Sequence, residues 1–123
     1  MLRDERIVMT PHRIRPMLEV ETIMRGAISP GARSEAMRMV GALVRFAHEP
    51  ILHARVRLTR TGDPTHLRRV IAQVSLDVNG HALIAHAVGR STRDALNLVR
   101  ERMRHQFDRG ARRWQVRRGG LRH

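Results

Sequence analysis

Arg69-Val-Ile-Ala-Gln-Val-Ser-Leu-Asp-Val78-Asn79-Gly80-His81-Ala-Leu-Ile-Ala-His-Ala-Val88 spells out a β-hairpin. Val70, Ala72, Val74, Leu76 and Val78 occupy alternate positions, the period of a strand with one apolar face. Asn79-Gly80 follows, and both residues tolerate the positive φ that a tight two-residue turn demands. Such a turn sets Val78 opposite His81, Leu76 opposite Leu83, Val74 opposite Ala85 and Ala72 opposite Ala87. The apolar sets coincide across the pair, and that match fixes the register.

Upstream of the hairpin, residues 61–66 contain Gly62, Asp63 and Pro64 and read as a turn or loop. Before them, residues 52–60 alternate again. Leu52, Ala54, Val56 and Leu58 face one way, and His53, Arg55, Arg57 and Thr59 the other. This predicts a half-buried strand with a basic outer face. Its arginines are read as ordinary solvent-facing residues, paired across strands with Asp77 or Glu21. A helix precedes it. Ser29 is a good N-cap and Pro30 suits a first helical position. Ala32, Ala36, Met39, Val40, Leu43, Val44 and Ala47 then recur at helical spacing, and Pro50 stops the helix. Residues 18–28 read as the first strand, with Leu18, Val20 and Thr22 alternating with Glu19, Glu21 and Ile23.

Downstream, Ser91-Thr92-Arg93-Asp94 is a capping-box-like opening for a second helix. Ala95, Leu96, Val99, Met103 and Phe107 form its apolar stripe, and Gly110 is the expected stop. The order β-α-β-β-β-α, with amphipathic helices and a sheet apolar on one face, predicts a two-layer α+β domain: two helices on one face of a four-stranded sheet. Residues 1–17, with Pro11 and Pro16, read as a flexible N-terminal arm, 18–110 as the domain, and 111–123 as a basic tail or linker. No internal repeat is present.

At 123 residues and 41% hydrophobic content the chain suits one domain with a modest core rather than a disordered polymer. All 24 of its basic residues are arginine, against 11 acids, for a formal charge of +13. Codon bias in a GC-rich genome accounts for the absence of lysine, but the physical result stands. Guanidinium is permanently charged, planar and forked, and it matches phosphate. A surplus this large repels itself in the folded state and points to a polyanionic partner, most commonly nucleic acid. A membrane surface would call for a strongly amphipathic basic helix or a terminal anchor signal, and the termini carry no such signal.

The chain has no cysteine, which excludes disulfides, thiolate metal sites and cysteine nucleophiles. The N-terminus bears Asp4 and Glu5 and lacks a signal-like apolar stretch, so a cytoplasmic location is expected. Of the eight histidines, His81 and His86 are five apart on one strand and face opposite sides, while Pro50 separates His48 from His53. No zinc spacing, nucleophile elbow or phosphate-binding glycine loop occurs. The expectation is a protein without catalytic activity, cofactor, metal or small-molecule substrate. Tyrosine is absent and the only aromatics are Phe46, Phe107 and Trp114, so RNA would be held by charge and shape rather than by base stacking.

The charge is concentrated. Residues 90–123 hold eleven arginines and three acids, and residues 1–89 thirteen and eight. On the second helix Arg93, Asn97, Arg100 and Arg104 fall at steps of four, three and four, a stripe pointing away from the apolar side. Like charges at such spacing destabilise a helix unless something binds them. The stripe is therefore read as functional.

Three stretches, in their order, resemble one family. Arg25-Gly26-Ala27-Ile28-Ser29-Pro30-Gly31-Ala32-Arg33 looks like a first strand running into a first helix, and Ala54-Arg55-Val56-Arg57-Leu58 like a second strand. Ala95-Leu96-Asn97-Leu98-Val99, then Glu101-Arg102-Met103, Gln106 and Phe107, follow a second-helix pattern. Together they resemble the ribosome-binding domain of the ribosome hibernation promoting factor and ribosome-associated inhibitor family, over about residues 18–110. Arg93 stands where the family often has tyrosine, and Asn97 where it has aspartate. The resemblance implies a partner, the small ribosomal subunit and its RNA, bound at the decoding region so as to exclude messenger and transfer RNA. It also implies contacts from basic residues on both helices: Arg33, Arg38, Arg93, Arg100, Arg104 and Arg109. Arg90, Arg112 and Arg113 complete the expected RNA-binding set. The alternative is a general RNA- or DNA-binding protein without ribosomal preference.

Overall fold

The hairpin forms as read. In the computed structural model, which describes residues 2–9, 18–62 and 69–121 and the side chains of 18–62 and 69–109, β4 (Val70–Val78) and β5 (His81–Gly89) pair antiparallel. Val78 faces His81, Leu76 faces Leu83, Val74 faces Ala85 and Ala72 faces Ala87. Asn79 and Gly80 adopt φ of 50° and 92°, and the Gly80 N–H donates to Asp77 Oδ1 at 2.8 Å, which anchors the turn. On the other side β4 pairs antiparallel with β3 (Ile51–Arg60), where the register shifts between Ile51 and His53. β3 in turn runs parallel to β2 (Leu18–Arg25), and the connection between them is α1 (Ala32–Phe46). α2 (Thr92–Leu121) closes the chain order β-α-β-β-β-α expected from the sequence.

One strand was not expected. Leu2–Met9, read as part of a flexible arm, forms β1 and pairs antiparallel with β2 from Leu2↔Arg25 to Met9↔Leu18, so the mixed sheet has five strands in the order of the chain. The reason for the miss is that Leu2-Arg-Asp-Glu-Arg-Ile-Val-Met9 has no period-2 alternation, and an edge strand takes its conformation from its neighbour's unpaired backbone. Met1 and residues 10–17, the rest of that arm, lie outside the described residues.

Both helices cover one face of the sheet, α2 over β4 and β5 and α1 over β2 and β3, and the helices also pack on each other. The core between the layers is aliphatic: Leu18, Val20, Val56, Leu58, Val74 and Leu76 from the sheet meet Val40, Leu43, Val99 and Met103 from the helices, all buried. Each such side chain contributes about 1.5–3 kcal/mol by leaving water. The opposite sheet face is mixed, with Ile84 and Val88 exposed on it beside polar residues, and Glu21, only 2% exposed, receives a hydrogen bond and ion pair there from Arg55 Nε. The cross-strand pairing foreseen for Arg55 is thus with Glu21, its register partner.

The helix ends refine the reading. α1 begins at Ala32 rather than at Pro30. Ser29 contributes its carbonyl to a turn, accepting from the Ala32 N–H at 3.1 Å, and Gly31 is the N-cap without a side-chain bond. α2 is capped as expected: Ser91 Oγ accepts from the Asp94 N–H at 3.1 Å, while Asp94 Oδ2 accepts from the Arg90 N–H at 3.0 Å. Its far end differs. The helix passes through Gly110 and takes in most of the segment read as a tail, ending at Leu121 after 30 residues, about 45 Å at 1.5 Å per residue. Gln106 lies level with Ile84, three residues from the start of β5. At about 3.3 Å per strand residue, α2 clears the end of that strand near residue 113 and continues for about 12 Å more.

Candidate nucleic-acid interface

The helices run parallel, as the contacts along them establish. Arg93 Nη2 lies 3.9 Å from Glu35 Oε1 at their first turns, and Arg104 sits over Phe46 at the end of α1. Beyond α1, His48 Nε2 approaches Asp108 Oδ1 at 3.7 Å. Parallel α1 and α2 follow from topology: β3 and β5 point the same way, and each helix runs back against the strand that precedes or follows it.

Between them lies a groove of about 280 Å³ with Arg38 on the α1 wall and Arg93, Asn97 and Arg100 on the α2 wall, floored by Met39 and Leu96. Among the described residues Glu35 is the single carboxylate in its lining, and its 3.9 Å separation from Arg93 is too long for a hydrogen bond. The Arg100 Nε is buried and has no hydrogen-bond partner among the described residues. Buried donors of this kind normally find partners, so the guanidinium is a natural anchor for an incoming anion. One turn further on, the Arg104 Cζ stands 3.9 Å from the centroid of the Phe46 ring. The ring, 43% exposed, holds that guanidinium by cation–π attraction. Arg100 and Arg104 share a loose pairing with Glu101, at 3.9 and 3.6 Å, which offsets little of their charge at an exposed site.

The structure therefore assembles part of the expected set. Arg38, Arg93 and Arg100 line one groove, and Arg104 follows Arg100 one turn further along α2, over Phe46. Arg33 is exposed on the first turn of α1 and Arg90 is exposed just before α2, and neither lines the groove. Arg109 departs from the stripe: it lies on the opposite flank of α2, in a second crevice facing β5. Arg112 and Arg113 sit on the continuing helix, with side chains outside the described residues. Sequence reasoning missed Glu35, Phe46 and that second crevice. Glu35 and Phe46 become visible only when α1 and α2 are known to be parallel and in register. Among the described residues no group of three or more potential metal ligands occurs, and no helix is long and apolar enough to cross a membrane.

The fold and groove define a class: a β-α-β-β-β-α two-layer domain with a cationic cleft between two parallel helices. No protein-family model and no characterised protein's sequence matches the chain. Solved structures do match. The N-terminal domain of Thermus thermophilus Protein Y superposes with a TM-score of 0.56 at 18% identity, covering 70% of this chain and 92% of that domain. A ribosomal subunit interface protein from Coxiella burnetii superposes with a TM-score of 0.57 at 12% identity, covering 75% of this chain and 96% of that one. Both neighbours are of the ribosome hibernation family that residues 18–110 resemble. At these identities, what the chains share is the fold.

Proposed function

We propose that this chain is a ribosome-binding hibernation factor domain. It seats the α1–α2 groove on small-subunit ribosomal RNA at the decoding region and, by filling that space, excludes messenger and transfer RNA. The observation that carries the reading is the groove lined by Arg38, Arg93 and Arg100 and extended along α2 by Arg104, on a fold shared with a ribosomal subunit interface protein.

The mechanism needs no bond-making chemistry. Guanidinium groups on two walls engage phosphate oxygens, bidentately where geometry allows. The rigid sandwich behind them supplies shape. Phe46 lies beneath Arg104 and Phe107 is buried in the core, so neither ring presents a free stacking platform. Recognition then rests on backbone contacts and fit to a preformed RNA surface, which favours a structured RNA over single strands. The work is occlusion of the site, consistent with a factor that holds idle ribosomes inactive in the cytoplasm.

Sucrose-gradient sedimentation with purified ribosomes tests this, with and without saturating messenger and transfer RNA. Co-migration with the small subunit, abolished by those ligands, is the expected result. Sedimentation that ignores the ligands, or equal affinity for random RNA, would replace occlusion with general nucleic-acid coating.

A further inference from the structure

Arg102, Gln106 and Arg109 fall at steps of four and three on the flank of α2 turned away from α1. They form one wall of a second crevice, about 290 Å³, whose other wall is the edge strand β5 with Ile84 and His86; His105 completes the lining. The crevice is built rather than incidental. Arg102 Nη1 donates to the His86 carbonyl and Gln106 Nε2 to the Ile84 carbonyl, each at 2.6 Å, so α2 side chains cap the backbone of the sheet edge. These bonds fix the wall's geometry and occupy two backbone carbonyls at the middle of the β5 edge, which hinders strand addition there.

What fits the crevice follows from its charge. Among the described residues its lining holds two arginines and two histidines and no carboxylate, unlike the α1–α2 groove with its Glu35. Ile84 takes part through its backbone carbonyl, because its side chain alternates with the buried Ala85 and Ala87 and so stands on the sheet face away from α2. Guanidinium donors held beside an amide, with no carboxylate among them, suit the phosphates of a nucleic-acid backbone. An acidic protein would meet the charge but leave no reason for cationic grooves on both flanks of a single helix.

We propose that this crevice is a second nucleic-acid site, holding phosphates of an RNA segment distinct from the one in the α1–α2 groove. α2 then lies as a ridge between two phosphate backbones, separated by about the 10–12 Å diameter of a helix with its side chains. This inference rests on the reading of the chain as a ribosomal RNA binder and adds a condition to it: the RNA surface must present two backbones flanking one helix.

The chain has no cysteine, so a photo-crosslinker can be attached to a single introduced thiol in Asn97→Cys, on the first groove, or in His105→Cys, on the second. Both positions are exposed. With purified small ribosomal subunits, both variants are expected to crosslink to RNA at nucleotides in different segments. If N97C crosslinks to RNA while H105C reaches only protein, nothing, or the same nucleotides as N97C, the second site is overturned. If neither reaches RNA, the ribosomal reading itself fails, and this inference with it. As an independent measure, R102Q/R109Q should reduce the slope of log affinity against log salt by about 1.4–1.8, and R109Q alone, which leaves the Arg102 bond to β5 intact, by about half that. An unchanged slope in R109Q, with a normal thermal melt, would also overturn the proposal.

Discussion

Gly89 closes β5 where the strand passes beneath the first turn of α2, and replacing it with alanine tests how firmly that helix is seated. A Cβ there would lie 2.4 Å from the Ala95 nitrogen, 2.8 Å from the Ala95 Cα and 2.9 Å from the Asp94 carbonyl carbon. All three are backbone atoms, so no side chain can rotate aside. The first turn of α2 must retreat by about 1 Å to restore ordinary contact, and well-packed interiors resist such shifts. Overpacking of this type costs about 1–3 kcal/mol, and the absence of any flexible neighbour places G89A at about 2–3 kcal/mol. For a domain of this size that lowers the melting temperature by about 6–15 °C. The assay is thermal and urea denaturation followed by circular dichroism, where a lower midpoint at unchanged m identifies a loss of stability. The effect extends to the groove, because the turn that retreats carries Arg93, so ribosome affinity should fall even at temperatures where G89A is folded. A melting temperature within about 2 °C of the parent, with unaltered binding, would refute the claim that α2 is wedged against the strand end.

Other substitutions separate binding from folding. R100E/R104E should abolish co-sedimentation with the small subunit and leave the thermal melt nearly unchanged, since both side chains are partly exposed and weakly paired; retained co-sedimentation would remove the groove from the mechanism. With Arg38, Arg93, Arg100 and Arg104 each engaging one phosphate, these four alone should make affinity fall roughly fifty- to a hundred-and-fifty-fold between 50 and 200 mM salt, contacts from Arg102 and Arg109 steepening the fall; filter binding measures it, and a flat salt profile would argue against phosphate contacts. F46A should weaken RNA binding by about 0.5–1 kcal/mol by releasing Arg104, with little effect on the melt. R55A should do the reverse, lowering stability by about 1–2 kcal/mol through loss of the bond to buried Glu21 while sparing RNA affinity.

The register of the hairpin was legible to the residue, because a turn that demands positive φ and two matched apolar sets leave only one pairing, while its strands start and end one residue later than read, at Val70 and Gly89. The arginine stripe from Arg93 to Arg104 was equally legible, since helical spacing alone puts those side chains on one face. What spacing does not carry is the partner across the gap. That Arg104 meets Phe46, and that Arg109 looks toward β5, depend on how two helices and an edge strand are aligned in space. The repeat of Arg102, Gln106 and Arg109 was a usable signal for the second crevice, masked by the more obvious stripe beside it. The two ends of the chain were misread for a common reason. β1 lacks alternation and α2 beyond Gly110 lacks apolar periodicity, so neither announces its secondary structure through a buried face.

The continuation of α2 past the sheet gives the last turns a phase. An α-helix advances about 1.5 Å and rotates about 100° with each residue, so residue 112 or 118 holds a fixed azimuth relative to Arg93 and Arg100 for as long as the helix is unbroken. One residue inserted at Gly110 would turn everything beyond it by more than a quarter revolution without disturbing the sandwich or its grooves. The helix thus behaves as a keyed shaft, and a pair of insertions of one and of four residues would show whether its far turns are read by angle or merely by reach.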